Sequence, residues 1–471
     1  MLKYLIAGFC CLSISTYSQD RLGLANSNFM PVTTALNNPS SIVDSYTWLD
    51  INLVGASVFF ANNYVYMPGD QLTIADRFKF KFGFDQKPGE NLSHFDKNFF
   101  VDATIPLPSA SVVIGRQSGG WVTNFRTMVD LEGVPYQVAQ GLYSGFANLP
   151  QFYGEKIDAK NLRISQLSWL ETGPVFGSFV YSFDEDVITV GASIKKLWGI
   201  TGVAAKIDKW SYTTLDKDVM VIDDFKATVA SAVGFGSGSG WSGDFGITYK
   251  RFYKWSNHYR PNDVRKSCNR MPYRFKITAA ILDLGNIKFD KNATLTTYEN
   301  GKNNWQNYSN SSASSVDAVT SFFSQMFTPN TVTTTTQNSF VMGLPTSISA
   351  GFDYNIGYGF YAGANTMIGL PSWFLLGPQR QFQLAVVPRY ERKFFEISIP
   401  ISTLNFQDLR LGLMMRMGFI TIGTDRLNTF LYGDVYAADF FLLLKMPFHT
   451  SPKCEDRTPK RKLAPYCPQF R

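Results

Sequence analysis

Residues 381–448 contain a series of short stretches in which every second side chain is apolar. This alternation limits the possible folds more than any other feature of the chain. Between Leu409 and Phe419, Leu409, Leu411, Leu413, Met415, Met417 and Phe419 share one parity. Arg410, Gly412, Met414, Arg416 and Gly418 share the other. Alternate residues of a strand face opposite sides, so one face is wholly apolar and the other carries two arginines. The preceding stretch repeats the pattern, with Phe395, Ile397, Ile399 and Ile401 set against Glu396, Ser398 and Ser402. Soluble sheets alternate too. A long series of such stretches with little helix between them is the mark of a membrane barrel, apolar outside and polar within.

Composition agrees. Charged residues make up 17% of the 471 and aromatics 15%, with 40 Phe, 23 Tyr and 37 Gly. Soluble domains carry about a quarter charged residues, whereas a lipid-facing barrel needs few charges and many girdle aromatics. Beyond residue 18 no run is apolar and long enough for a transmembrane helix. The net charge of +7 has neither a basic helix nor an RNA-stacking platform beside it, so nucleic acid is not an expected partner. Part of the excess lies in the tail, where Lys453, Arg457, Lys460, Arg461, Lys462 and Arg471 face only Glu455 and Asp456.

Residues 1–18 read as a secretory signal, with Lys3, an apolar centre from Leu5 to Leu12, and Thr16-Tyr17-Ser18 as a small-x-small cleavage site. Residues 19–47 are expected to form either a plug in the barrel mouth or a periplasmic arm. Ala35–Ile42 makes a short helix entered through Asn38-Pro39. Residues 48–448 are the barrel and 449–471 a basic periplasmic tail. The first strand, 48–61, has no clear parity: Ile51, Leu53 and Phe59 compete with Val54, Val58 and Phe60. Residues 62–100 read as loop with local strand or helix, and 131–170 as an insertion with weak helical patches. The glycine-rich 234–240 reads as a turn leading into a strand, in which Phe245, Ile247 and Tyr249 oppose Asp244, Gly246, Thr248 and Lys250. A phosphate-cradling loop would need a helix to follow. Residues 290–340 read as one long Asn/Ser/Thr-rich loop with an amphipathic patch at 316–327. The last strands are placed at 346–354, 358–368, 381–390, 393–402, 408–419, 428–436 and 439–447.

Short connections at 355–357, 391–392 and 423–427 alternate with longer ones at 290–340, 369–380 and 403–407. Barrels keep short turns on the periplasmic side and long loops outside. The expected fold is all-β: a transmembrane antiparallel barrel of about 14 strands (range 12–16) with long extracellular loops. Both termini then lie in the periplasm of a Gram-negative cell.

Several motifs resemble those of the FadL-like barrels of Bacteroidota outer membranes, the group that includes PorV-type proteins. They are Asn38-Pro39-Ser40-Ser41, Gly243-Asp244-Phe245-Gly246-Ile247-Thr248-Tyr249-Lys250, Leu282-Asp283-Leu284-Gly285-Asn286-Ile287, and Leu344-Pro345 before Ser347–Tyr354. The resemblance covers about two thirds of the chain. It implies an outer-membrane barrel that takes up hydrophobic compounds or serves secretion and assembly machinery. The loop at 290–340 and the Cys-containing tail depart from the group.

No catalytic constellation is visible. His94, His258 and His449 have no metal-ligand spacing, no nucleophile elbow occurs, and Asp184-Glu185-Asp186 reads as a charged turn. The expectation is a non-enzyme without metal or cofactor. Of the cysteines beyond the signal, Cys454 and Cys467 are the preferred disulfide, with Cys268 as a competitor, so three pairings stay open. By parity Arg389, Glu396, Arg410 and Arg416 face the lumen, as do Asp244 and Lys250. Such charges either line a conduit or fill the barrel as paired ions. Two roles follow. The first is an accessory or structural subunit of an outer-membrane assembly or secretion complex, held in lipid and binding other outer-membrane or periplasmic proteins. The alternative is a FadL-like channel for a hydrophobic or amphipathic small-molecule ligand.

Overall fold

A computed structural model describes residues 21–78, 88–254, 256, 259, 261, 270–310, 325–327, 331–370, 376–405 and 408–451. Fourteen antiparallel strands close on themselves. They are β1 (Leu49–Asn62), β2 (Lys97–Pro106 and Ser109–Ile114), β3 (Gln117–Val134), β4 (Lys156–Phe183), β5 (Asp186–Thr214) and β6 (Val219–Phe252). Next come β7 (Tyr273–Phe289 and Ala293–Gln306), β8 (Thr333–Gln337, Phe340–Gly343 and Ser347–Gly357), β9 (Phe360–Gly369) and β10 (Gln383–Glu391). The last four are β11 (Phe395–Ser398 and Ile401–Leu404), β12 (Asp408–Leu411 and Leu413–Met417), β13 (Ile420–Thr424) and β14 (Ala437–Phe448). β14 pairs back onto β1, with Phe441 opposite Ser57. A closed sheet with an apolar outer face is what crosses an outer membrane, because closure leaves no strand edge in lipid.

The outward face is apolar: Ile194, Phe245, Ile277, Phe352, Leu409 and Leu411 are all exposed. Phe183, Tyr358, Phe360, Phe394, Phe419 and Phe448 ring the end with the short turns, and Trp241, Phe235 and Tyr432 lie towards the other. Aromatic rings at both interfaces anchor a barrel at headgroup level. β1 lacks a clear parity because its register against β14 shifts between Asn52 and Val54. Asp50 and Asn52 face inward before the bulge and Ser57 and Phe59 after it, while Leu53 and Val54 both face out. One extra residue flips every later side chain.

Four expectations need correction. First, the glycine-rich stretch at 234–240 is not a turn: β6 runs through it as one strand of 34 residues. Residues 234–237 bulge out of its register, with Gly234 at φ 134° and Gly236 at φ 71°, and beyond the bulge Gly238 makes room for a ring. A Cβ at Gly238, or at Gly202 on β5, would press into the Phe289 ring at 2.7 and 2.6 Å. Second, 290–340 is not one loop, because β7 continues to Gln306 and β8 begins at Thr333. Threonine favours strands, and both pieces are rich in it. Third, of the insertion expected at 131–170, only residues 135–155 lie outside strands, including helix α3 (Tyr136–Ser144), which follows the short helices α1 (Pro31–Thr34) and α2 (Ile74–Phe78). Fourth, the strand expected at 428–436 is a one-turn helix, α4 (Asn428–Leu431), and the wall strand is β13. The short turn is Gly418-Phe419, with Gly418 at φ 56°. Its flanks are girdle apolars, so no polar cluster marks it. Of the connection expected at 423–427, Gly423 and Thr424 therefore end β13 and 425–427 begin the long loop, 425–436.

β4, β5 and β6 have 28, 29 and 34 residues, whereas about 9–11 cross a bilayer. The surplus forms a head beyond the membrane. Ala204 and Ala205 are neighbours on β5, yet they belong to different apolar clusters, as do Val229 and Ala230 on β6. Neighbours in a strand face opposite ways, so the head carries a second core on the face that meets lipid lower down. Val138, Ala139 and Tyr143 of α3 cover it, with Trp305, Tyr308, Met326 and Phe327.

Candidate functional site

The lumen is occupied by the chain's own residues 21–48, called here the inner segment. Pro31 opens a four-residue helix and Pro39 a 3-10 turn, since proline fits the first turn of a helix. Asn38 caps that turn by accepting from the Ser40 amide at 2.9 Å, and its own amide donates to the Ile247 carbonyl on β6 at 3.2 Å. Close approach to the wall depends on glycine. A Cβ at Gly191 would meet the Pro39 backbone, and one at Gly246 the Asn38 amide. Ile42 and Val43 pack on Val122, Val175, Phe179 and Val187, while Leu24 and Met30 pack on Met414, Phe441 and Leu443. At about 1.5–3 kcal/mol per buried side chain, those contacts seat the segment firmly.

Polar bonds fix its position. Lys250 donates to Asp44 at 2.8 Å and Lys276 to the Asn26 carbonyl at 3.1 Å. Lys445 reaches Thr33 at 2.9 Å and Asp50 at 2.7 Å. Ser27 donates to Glu396 at 2.8 Å, and the Leu22 amide to Asp425 at 3.0 Å.

The six lumen candidates named from sequence are all buried. Arg389 makes paired bonds to Asp353 at 2.5 and 2.9 Å and one to Glu391 at 3.0 Å. Arg416 bonds Glu396 at 3.1 Å. The Arg410 guanidinium stacks over Phe59 at 4.9 Å. Asp244 pairs with Lys195 at 3.0 Å, and Lys250 holds Asp44. They do not converge on one point but are spread through several ion groups. Cys454, Cys467 and Cys268 lie outside the described residues.

The largest group was only partly visible in the sequence. Asp283 takes Arg126 at 2.8 Å, Lys195 at 3.4 Å and Arg380 at 3.2 Å, while Glu171 lies 3.5 Å from Arg126 and 3.6 Å from Lys195. Lys195 and Asp244 follow inward parity. Asp283 does not: it shares parity with the outward Ile277 and Ile281. A bulge between Ile281 and Leu284, with Asp283 at φ 56°, turns it inward.

An apolar layer lies beside this group, built from Phe59, Phe100, Trp169, Leu197, Phe289, Phe340 and Met342. Arg126 joins the two by stacking on Trp169 at 4.8 Å. The layer reaches a weak stretch of wall. β13 ends at Thr424, so Asp408–Leu411 of β12 and Ala437–Phe440 of β14 have no strand between them. The loop 425–436 with α4 fills the interval. Phe59 lies opposite Asp439 there, beneath Arg410. Arg77 fastens the loop, donating to the carbonyls of Thr429 at 2.8 Å, Gly433 at 2.9 Å and Gly69 at 3.1 Å.

Two polar cavities flank the inner segment. One of about 50 Å³ lies among Asn38, Asp44, Thr248, Lys250 and Lys276. The other, about 30 Å³, lies among Arg21, Thr33, Arg126, Asp283 and Arg380. A cavity of about 150 Å³ holds benzene, and one water needs about 10–15 Å³. Both therefore suit water and neither admits an aromatic ligand. Among the described residues, no cluster of three or more His, Cys, Asp or Glu is placed to hold a metal ion.

A family model described as "Family of unknown function (DUF5723)" matches residues 39–425. No curated protein matches the chain. Among solved structures, the toluene transporter TbuX of Ralstonia pickettii is 10% identical, covering 89% of this chain and 98% of its own, at a TM-score of 0.38. The P. putida toluene transporter TodX is 9% identical, with 89% and 94% covered and a TM-score of 0.40. A Pseudomonas aeruginosa FadL homologue is 11% identical, with 93% and 99% covered and a TM-score of 0.41. At such identities the likeness is one of fold.

Proposed function

The chain belongs to the DUF5723 family, and from that premise we propose a non-enzymatic outer-membrane barrel through which small hydrophobic or amphipathic molecules pass. The inner segment is its resting plug. The first strand starts and the last strand stops at the short-turn end, where Leu49 pairs with Phe448, and this reading assigns that end to the periplasm. The observation that carries the proposal is the aromatic layer inside the barrel meeting a stretch of wall closed by a loop instead of a strand. An apolar molecule in that layer has a path sideways into lipid past Phe59 and Arg410 that does not pass through the ion group around Asp283. Charge-lined lumens discriminate against such molecules, since leaving an ion pair unsatisfied costs several kcal/mol.

Toluene, the compound named for TbuX and TodX, is a suitable probe. Cells displaying the full chain should accumulate labelled toluene faster than cells that lack it. Arg77→Ala, which frees the loop over the weak wall, should raise the rate further. Equal uptake in all three strains would remove the reading.

The accessory role has one observation in its favour. All five side chains of Thr333–Gln337 in the head are exposed, and among the described residues the strand pairs with β7 alone. A free edge of this kind accepts a partner strand. Co-purification of a stoichiometric partner in mild detergent, lost when this strand carries prolines, would support that role instead.

A further inference from the structure

The inner segment is not the only part of the chain inside the barrel. Residues 376–382, between β9 and β10, also enter it. Leu376 bridges to Met342 on β8, and its carbonyl accepts from the Gly343 amide at 3.0 Å. The Gln379 amide then donates to Asp130 on β3 at 3.2 Å, and Gln381 to Glu132 on the same strand at 2.9 Å. Between them Arg380 reaches Asp283 on β7 at 3.2 Å. The Phe382 amide returns to Asn405 at 3.1 Å, where β10 begins.

The topology gives these bonds their meaning. In a ring of fourteen strands, β3 and β10 are seven apart, which is diametrically opposite. A segment that leaves β10 and bonds to β3 must cross the lumen. Its anchor on β3 is itself fixed, because Arg163 bonds Glu132 at 2.5 Å and lies 3.5 Å from Asp130. Leu376 is buried in the aromatic layer. Arg380 lines the cavity of about 30 Å³ opposite Arg21, Leu24 and Thr33 of the inner segment. The crossing segment and the inner segment thus face each other across a gap the width of a few waters.

We infer that residues 376–382 are a strap that closes the barrel independently of the inner segment, fastened by Arg380 on Asp283 and by Gln381 on Glu132. The bonds described above run from the strap to barrel strands, so withdrawal of the inner segment leaves them intact. Passage from end to end requires both closures to yield. The strap's stem ties Leu376 to the aromatic layer, so an apolar molecule entering that layer disturbs the strap before it meets the inner segment. This inference rests on the passage reading, but its test does not use the permeant.

The test is ionic conductance of purified protein in planar bilayers. The full chain, a chain lacking residues 21–45, a full chain carrying Arg380→Ala with Gln381→Ala, and the combination are compared after heat-modifiable gel mobility has shown each to be folded. The combination should conduct about tenfold or more above either single change, as two closures in series require. Conductance of the inner-segment deletion equal to that of the combination would overturn the strap. If the deletion does not fold, the full chain still decides. Asn37→Cys lines both cavities and should be labelled by an impermeant maleimide from outside intact cells only when Arg380→Ala and Gln381→Ala are present. Equal labelling with the native strap would overturn the inference. Failure of toluene uptake in every strain would sink the passage reading and leave both readouts of the strap unchanged.

Discussion

The two sides of this barrel wall are built differently. From β4 to β7 the strands are long and pair along almost their whole length, as β4 does with β5 from Lys156 opposite Thr213 to Phe183 opposite Asp186. From β11 to β13 they are short, and the first two are interrupted. β11 breaks at Ile399-Pro400 and β12 at Gly412, and β13 has five residues. Proline cannot donate to a ladder, so Pro400 imposes the first break. The buried carboxylates differ in the same way. Asp283, on the long side, sits among three cations. Asp425, at the end of the short side, sits beside Asp439, with the Leu22 and Gly23 amides at 3.0 and 3.4 Å and its own amide donating to Asp439 at 2.5 Å. One side is a fixed scaffold; the other is where the wall and the start of the inner segment share bonds that can be exchanged.

The comparison breaks first at Asp283. Asp283→Ala would leave Arg126, Lys195 and Arg380 buried without their shared carboxylate, a change expected to cost about 3–5 kcal/mol. Urea unfolding in detergent, followed by tryptophan fluorescence, should show the loss across the whole barrel. A loss confined to the short side would mean that the long strands are not the scaffold.

The second prediction concerns how the inner segment seats on the long side. Gly191→Val places a branched side chain against the Pro39 backbone, which cannot move like a flexible side chain. Overpacking of this kind costs about 1–3 kcal/mol. The segment should lift from β5 and β6, exposing the peptide bonds around Ser40 to protease while the barrel keeps its gel mobility. Unchanged protection would show that the seat lies elsewhere.

These two sites also show what the sequence reveals and what it hides. The alternation of Leu409 and Leu411 with Arg410 follows directly from lipid on one side and the lumen on the other, so the barrel and its inward charges were legible. Asp283 was not, because one left-handed residue at a bulge reverses its side. Residues 234–240 were misread in part because glycine marks turns and close approaches alike, and both occur there: Gly234 and Gly236 turn the backbone in a bulge, while Gly238 lies against Phe289 in a strand that runs on. The β13 hairpin was hidden because its turn lies in the apolar girdle. The polar run 21–48 has no period to read. Its partners are side chains on strands distant in sequence, and a lumen lined with Asp, Glu, Lys and Asn suits such a run as well as water does.

The short side yields the third prediction. Asp425→Asn keeps an acceptor for the Leu22 amide, sets an NH2 against the Gly23 amide in place of the second oxygen, and removes one of two neighbouring carboxylates. The change in unfolding free energy should stay within about 1 kcal/mol, the worth of one hydrogen bond. Hydrogen exchange should nonetheless quicken in residues 21–25 and 425–436 together. Exchange that quickened in only one of the two stretches would separate the inner segment from the loop over the weak wall.

The smallest effect is expected in the head. Lys209 pairs with Asp224 at 2.5 Å, yet both side chains are more than a third exposed. Lys156 with Asp223 and Lys226 with Glu299 make similar exposed pairs. Water screens such pairs, and holding two long side chains together offsets what attraction remains. Lys209→Ala should leave the thermal midpoint where it is, at low salt and high. If the midpoint falls, and falls less in high salt, the charged face of the head contributes to stability, and the second core beneath Trp210 and Tyr212 is not by itself enough to hold these strands beyond the membrane.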